Sequence, residues 1–443
     1  MVRPILVCLS LCLGLPFGTI PLSAQAGPDT TRSVQDSALR VFFDCPNFDR
    51  GCDFDFMRTE IGFVNWVRNR EDAHVHILIS TQETGGGGDD YTITFIGLKQ
   101  FRGTTDTLHY VSNTTETRDE IRRGLARVLK LGLVRFAAVT PVAQRLDVTY
   151  SAPAAAQTAA AVHDPWDYWV FRIGMNGNYS AQKSINNFGI FANLSASRIT
   201  ERWKVRLSLN GGYRENNFHI RYTPDSAATF SSLTRNYGAS ALVARSAGGR
   251  WSAGLRGSIA QSTFLNQRHQ IRVTPAVEYD VFPYSQSTRR LMTLQYAVGV
   301  VHFAYIDTTI YDKKAEALPL QTLTLSVSAT QPWGTLFGSV EGSAYYRKNT
   351  LNKNSLAFFG STQVRLIKGL SISLFGNASI VHDQIFLSGQ GIDEPTLLLQ
   401  RRQLETSFFY QAFVGLSYSF GSIYNNIVNP RFEGGGGFFF FSN

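Results

Sequence analysis

The sequence predicts an all-β transmembrane antiparallel barrel of about twelve strands, preceded by a small α/β domain in the periplasm. Three observations predict it. From Trp166 onward apolar and polar residues alternate in segments of roughly ten residues, the pattern of strands with one face in lipid and the other on a polar lumen. The N-terminus reads as a secretory leader. No stretch beyond the leader reaches the roughly 18 to 20 unbroken apolar residues of a membrane helix.

In the leader, Arg3 gives a positive start, residues 5–15 form an apolar run, and Ser23-Ala24-Gln25-Ala26 supplies an A-x-A cleavage site before Gly27. Residues 1–26 are therefore set aside as a signal peptide. Cys8 follows Val7 and Cys12 follows Leu11, where lipidation would need a small residue, so no lipid anchor is expected. Phe (32), Tyr (18) and Gly (38) are abundant, a mixture that alternating lipid-facing and lumen-facing residues produce but that a soluble β-rich secreted protein shares. The net charge of +9 reads as solubility. With no basic cluster interleaved with aromatics, no nucleic-acid partner is expected. Only Cys45 and Cys52 survive leader removal, and their proximity in an oxidising compartment predicts a disulfide. No further Cys or His stands nearby at zinc-ligand spacing, and no cofactor is expected.

Residues 27–150 are assigned to the periplasmic domain, compact over 40–138. Leu39-Arg40-Val41-Phe42-Phe43 reads as a strand, and Met57, Ile61, Val64 and Val67 place a helix over 53–68. Strands follow at 73–80, 91–97 and 107–111. The run Gly85-Gly86-Gly87-Gly88 between two of them reads as a flexible hairpin loop, because a phosphate-binding loop would need a following Gly-Lys-Ser/Thr and a helix. The closing helix, 117–136, opens with Thr117 and Glu120 as a capping box. Its core face is Ile121, Leu125, Val128, Leu129, Leu133 and Phe136, with Gly132 on the same stripe as a point of close packing or fraying. His74 and His76 share a strand face and form a possible metal pair, but no third ligand accompanies them.

The order strand, helix, three strands, helix, with Val75-His76-Ile77-Leu78-Ile79 feeding a hairpin and then a Glu/Arg-rich helix, resembles the amino-terminal domain of the periplasmic TolB protein. It is similar also to the core of the curli secretion channel. The resemblance covers residues 40–138 and implies docking to a periplasmic protein partner, not catalysis. The curli channel spans the membrane with segments from within that domain, whereas here a separate barrel follows, so its oligomeric secretion function is not implied. The low-complexity Ala-rich stretch 151–164, with Pro153 near its start, reads as a linker that leaves the two domains as tethered beads.

The barrel is assigned to 165–420, with strands at 168–181, 188–200, 202–216, 235–246, 250–264, 269–282, 290–305, 319–331, 334–348, 355–367, 369–382 and 406–420. In the third, Trp203, Val205, Leu207, Leu209 and Tyr213 alternate with Arg202, Lys204, Arg206, Ser208, Asn210 and Arg214. The eighth sets Leu323, Leu325, Val327 and Ala329 against Thr322, Thr324, Ser326 and Ser328, and the eleventh follows the rule except at Phe375. Short connections near Glu201, 246–249, 283–288, 332–333 and 368–369 are expected to alternate with long external loops such as 217–234, 307–318 and 384–405. An even strand count then puts both ends, and the N-terminal domain, on the periplasmic side. Trp166, Trp169, Trp203, Trp251, Tyr284 and Trp333 fall at strand ends, where rings sit at the headgroup level.

The last segment resembles, through Gly415, Tyr418 and Phe420, the terminal-strand signal by which outer-membrane barrels meet the barrel-insertion machinery. It departs from that signal at Phe413 and in the tail 421–443, which is expected to enter the lumen or to pack on the periplasmic domain. Outer-membrane lipid is the expected surround.

Arg172, Lys204, Arg206, Arg214, Arg256, Arg272, Arg347 and Arg365 are predicted to line the lumen, against Glu278, Asp280 and Glu341. Such a basic lumen fits a narrow transport or diffusion channel favouring anions. It fits equally a closed interior in which the arginines pair with the three acids. A third reading is an anchoring or assembly protein whose barrel fixes the periplasmic docking domain. No catalytic role is expected: the phospholipase pattern of His and Ser followed by Asn-Gly is missing around His219, His269, His302 and His382, and His382-Asp383 are adjacent residues that would point apart on a strand.

Overall fold

The structure is a computed structural model and describes residues 38–45, 51–149, 164–223, 226–347, 350–390, 403–424 and 426. The expected signal peptide, residues 151–163 of the expected linker and most of the tail lie outside them.

The N-terminal domain contains β1 (Arg40–Asp44), α1 (Phe54–Glu60), β2 (Asn65–Trp66), β3 (Val75–Glu83), β4 (Asp89–Gly97), β5 (Thr105–Val111) and α2 (Arg118–Ala137). Its sheet runs β2-β1-β3-β4-β5, with β1 parallel to both neighbours and the remainder an antiparallel meander. The expected 53–68 helix is thus cut short. Asp53 caps α1 by accepting from the Phe56 amide at 2.9 Å, but after Ile61 the chain leaves the helix so that Asn65 and Trp66 can pair with β1. Edge pairing plus complete burial of Trp66 outweighs a helical spacing that was satisfied only by apolar residues either conformation would bury. α2 begins with the capping box: Thr117 Oγ1 accepts from the Glu120 amide at 3.3 Å, and Glu120 Oε2 accepts from the Thr117 amide at 2.7 Å. Ile121, Leu125, Leu129, Leu133 and Phe136 bury against the sheet, and Val128 is half-buried at the margin. Gly132 is a point of close packing: a Cβ there would stand 2.1 Å from the Phe95 ring. Cys45 and Cys52 form a disulfide with Cα atoms 6.0 Å apart.

The rest is a single antiparallel sheet of twelve strands in sequence order. They are β6 (Trp169–Ala181), β7 (Ile185–Ile199), β8 (Trp203–Thr223), β9 (Ser226–Ser246), β10 (Trp251–Ser262), β11 (Gln267–Asp280), β12 (Arg290–Tyr305), β13 (Ala315–Gln331), β14 (Gly334–Arg347), β15 (Thr350–Ile367), β16 (Leu370–Val381) and β17 (Phe408–Tyr418). Each expected segment has its strand. The sheet is open, however: β6 and β17 are its two edges and do not pair with each other, so the predicted closure is absent.

Connection lengths do not follow the short and long alternation expected. β8 and β9 pair as far as Thr223 and Ser226, so most of the expected 217–234 loop is a projecting hairpin, held by a pairing register that runs on through Phe218 and Phe230 although the apolar alternation stops at Tyr213. β14 and β15 likewise meet at Arg347 and Thr350. Only 306–314 and 382–407 remain long at that end, which we call the loop end. The opposite, turn end carries a connection, 281–289, as long as the first of these.

Register assigns every side chain to one of two faces. One carries Trp169, Phe171, Ile173 and Met175 of β6 beside Arg198, Ala196, Leu194 and Ala192 of β7, then Val205, Leu207, Leu209 and Gly211 of β8. This apolar face is bare, with Ile173 86% and Leu209 52% exposed. The polar face carries Arg172, Ser195 and Ser208 in one row and Arg206, Leu242 and Arg256 in another. The Trp residues expected at strand ends all gather at the turn end. Nearer the loop end the apolar face presents tyrosines instead, among them Tyr179, Tyr213 and Tyr237.

Candidate functional site

The polar face, covered at both ends, is the candidate site. Register places Arg172, Lys204, Arg206, Arg214, Arg256, Arg272, Glu278, Asp280, Glu341 and Arg365 all on it. Arg347 ends β14, but its side chain lies outside the described residues. The acids do not neutralise the arginines in pairs. Among the described residues, no ion pair within 4.0 Å involves Glu278, Asp280 or Glu341; Glu278 accepts from Gln295 at 3.0 Å and Glu341 from Thr324 at 3.2 Å. A cavity of about 210 Å³ near the turn end is lined by Lys204, Arg256, Glu278 and Gln295.

At the turn end the N-terminal domain sits across the polar face instead of hanging free on its linker. Asp44, the last residue of β1, receives both terminal nitrogens of Arg365 at 2.6 Å each, a bidentate pair across 321 residues of sequence. The His76 Nε2–H donates to the same carboxylate at 3.1 Å, and the Arg365 guanidinium lies 5.2 Å from the centre of the Phe42 ring. Lys368 pairs with Asp72 at 2.7 Å, Ser287 donates to Gln82 at 3.3 Å, and Arg172 on the far edge strand pairs with Glu83 at 3.1 Å. Contacts therefore run from β6 to the β15–β16 turn, and a cavity of about 610 Å³ remains between Asp44, Leu78 and Ile79 above and Gln363, Arg365 and Phe375 below.

The start of the tail joins this interface. Tyr424 bridges to Val67, the Arg68 amide donates to Ile423 O at 3.0 Å, and the Trp66 amide donates to Asn426 Oδ1 at 2.6 Å. Of the two expected placements of the tail, its described part packs on the N-terminal domain, along the free edge of β2. Gly415 lies within β17, Tyr418 ends it, and Phe420 follows it, its carbonyl accepting from Arg68.

Burial raises the Asp44 carboxyl, but hydrogen bonds from His76 and Arg365 and the Arg365 charge more than offset this, leaving it below the usual carboxylate range. Burial lowers His76, Asp44 opposes this, and Arg70 and Arg365 reinforce it, so the net shift is downward. His74 does not share a site with His76. It contacts Arg40, and burial with that cation lowers it to about 4. Among the described residues no group of three His, Cys, Asp or Glu is placed to hold a metal.

At the loop end the polar face is filled from within. Val301, Phe303, Tyr305, Leu318, Leu320 and Tyr345 form an apolar cluster, and Ile385 from the 382–407 connection is buried in it. The connection is pinned by backbone bonds from Ile310 N to Leu387 O and from Gly389 N to Thr308 O, and Asn266 donates to Phe386 O at 3.0 Å. His382, adjacent to Asp383, contacts Asn354.

No protein-family model matches this chain, and no curated protein matches it.

Proposed function

We propose that this chain is an outer-membrane β-barrel protein, closed through β6 and β17 in the bilayer, that forms a narrow transport channel whose periplasmic mouth is capped by its own N-terminal domain. The apolar face carries the proposal. Tyr213 stands ten positions after Trp203 on β8, and Tyr179 ten after Trp169 on β6, with no charge on that face between them. Ten residues of strand extend roughly 33 Å, which at a tilt of about 40° gives a band about 25 Å tall, the height of an outer-membrane apolar belt. So large a bare apolar surface would aggregate in water and is stable in lipid. Closure is supported by the even strand number, since β6 leaves and β17 reaches the turn end and the two can pair antiparallel, removing both exposed edges.

The channel reading draws on the unneutralised basic residues of the polar face, and the cap makes the full chain a poor conductor at rest. Planar-bilayer conductance tests it. Wild type gives small, anion-biased currents; Arg365→Ala, which frees the cap, raises the open fraction; Arg206→Ser with Arg256→Ser removes the anion bias. A heat-modifiable barrel silent in all three forms overturns the channel. The clamp between Asp44 and Arg365 would then favour the second reading, a barrel that holds a docking domain at the membrane.

A further inference from the structure

On the loop-end half of the polar face, strands β6 to β9 carry asparagine at alternating positions with glycine on the neighbouring strand. Asn193 of β7 lies across Gly174 of β6, Asn178 across Gly189, and Asn236 of β9 across Gly212 of β8; a Cβ at each of those glycines would stand 2.5 Å from the asparagine Oδ1. Asn210 of β8 sits directly beside Asn193. The glycines let the amides lie flat along the sheet, so the face becomes a floor instead of a thicket. Among the described residues, the side chains of Asn178, Asn193, Asn210 and Asn236 make no hydrogen bond. Above the floor is a cavity of about 750 Å³, joined through Arg214 and Asn216 to another of about 440 Å³.

We propose that this floor is a carbohydrate-binding site. Each amide offers two donors and two acceptor lone pairs, and adjacent strands repeat them about 4.8 Å apart. A ligand that satisfies such a grid must carry closely spaced groups that both donate and accept, which describes the hydroxyls of a sugar. The other ligand classes fit poorly: no acid lines either cavity to hold a cation, and asparagine, glutamine, serine and threonine side chains outnumber the apolar ones, such as Ile185, Phe218, Phe264 and Leu265, that a lipid chain would need around it. Phe191 supplies a ring face for a pyranose, and Arg214, 5.5 Å from that ring's centre, is placed for an acidic substituent. Each cavity taken singly is of ligand-pocket size. The inference deepens the channel reading and rests on it for the route by which a sugar enters.

Equilibrium binding to the refolded full chain tests it, with maltohexaose, chitohexaose and trigalacturonate as probes. At least one binds saturably, and Asn210→Ala with Asn236→Ala weakens it about tenfold or more. Gly212→Val, which removes no hydrogen-bonding group but displaces the Asn236 amide, weakens it in the same direction. Absence of saturable binding by all three probes to a heat-modifiable barrel overturns the site, as does equal binding by wild type and the double variant. Conductance of the same preparation separates the two claims: binding without current keeps the site and discards the channel.

Discussion

Asp44 and Arg365 join residues that no local pattern relates. Removing one partner of a largely buried ion pair costs about 3–5 kcal/mol, and with a third of Arg365 exposed the lower end applies. Arg365→Ala should therefore raise hydrogen exchange along β1 without altering heat modifiability of the twelve-stranded sheet. Its neighbour His76 sets a pH response. Because the folded imidazole is held down, it stays neutral while the unfolded one takes up a proton below about pH 6.5. Stability is full above that value and falls as the pH drops, by at most about 1.4 kcal/mol per pH unit. The depressed Asp44 adds a further loss only below its usual value of 3.8. Chemical denaturation at pH 7.5 and 5.5 should show the drop in wild type and a smaller one in His76→Asn.

At the scale of elements, the strands were legible because alternation is local: Trp203 through Tyr213 announces β8 whatever lies beside it. The misreadings occurred where a tertiary partner decides. The 53–68 helix loses its second half to β1, and the polar residues of the expected 217–234 loop extend β8 and β9 as far as Thr223 and Ser226. The asparagine and glycine grid was present in the sequence as alternate positions of four segments, but only cross-strand register brings each Asn over its Gly. The burial of Ile385 left no signal, since Ile385-Phe386-Leu387 is a short apolar run without a period, inside a stretch read as an external loop. Ile385→Ala should cost the 382–407 connection about 2–5 kcal/mol of local stability, read as faster exchange of the Ile310 and Gly389 amides.

For the whole molecule, the bare apolar face, the capped turn end and the filled loop end make one arrangement: a sheet with one face uncovered and its own chain across the ends of the other. Which residues share the polar face was readable from alternation. The cap was not, since the linker told only that two domains were separate, and the ion pairs that hold them together span 89 to 321 residues. The placement of the sheet in a bilayer is the central claim. Single cysteines at Leu207 and at Ser208, labelled with a fluorophore in liposome-reconstituted protein, test it through quenching by nitroxide lipids. Register puts Leu207 on the apolar face and Ser208 on the polar one. Strong lipid quenching at position 207 with little at 208 is the expected result; equal quenching of both by a water-soluble agent, with none from lipid, would contradict it.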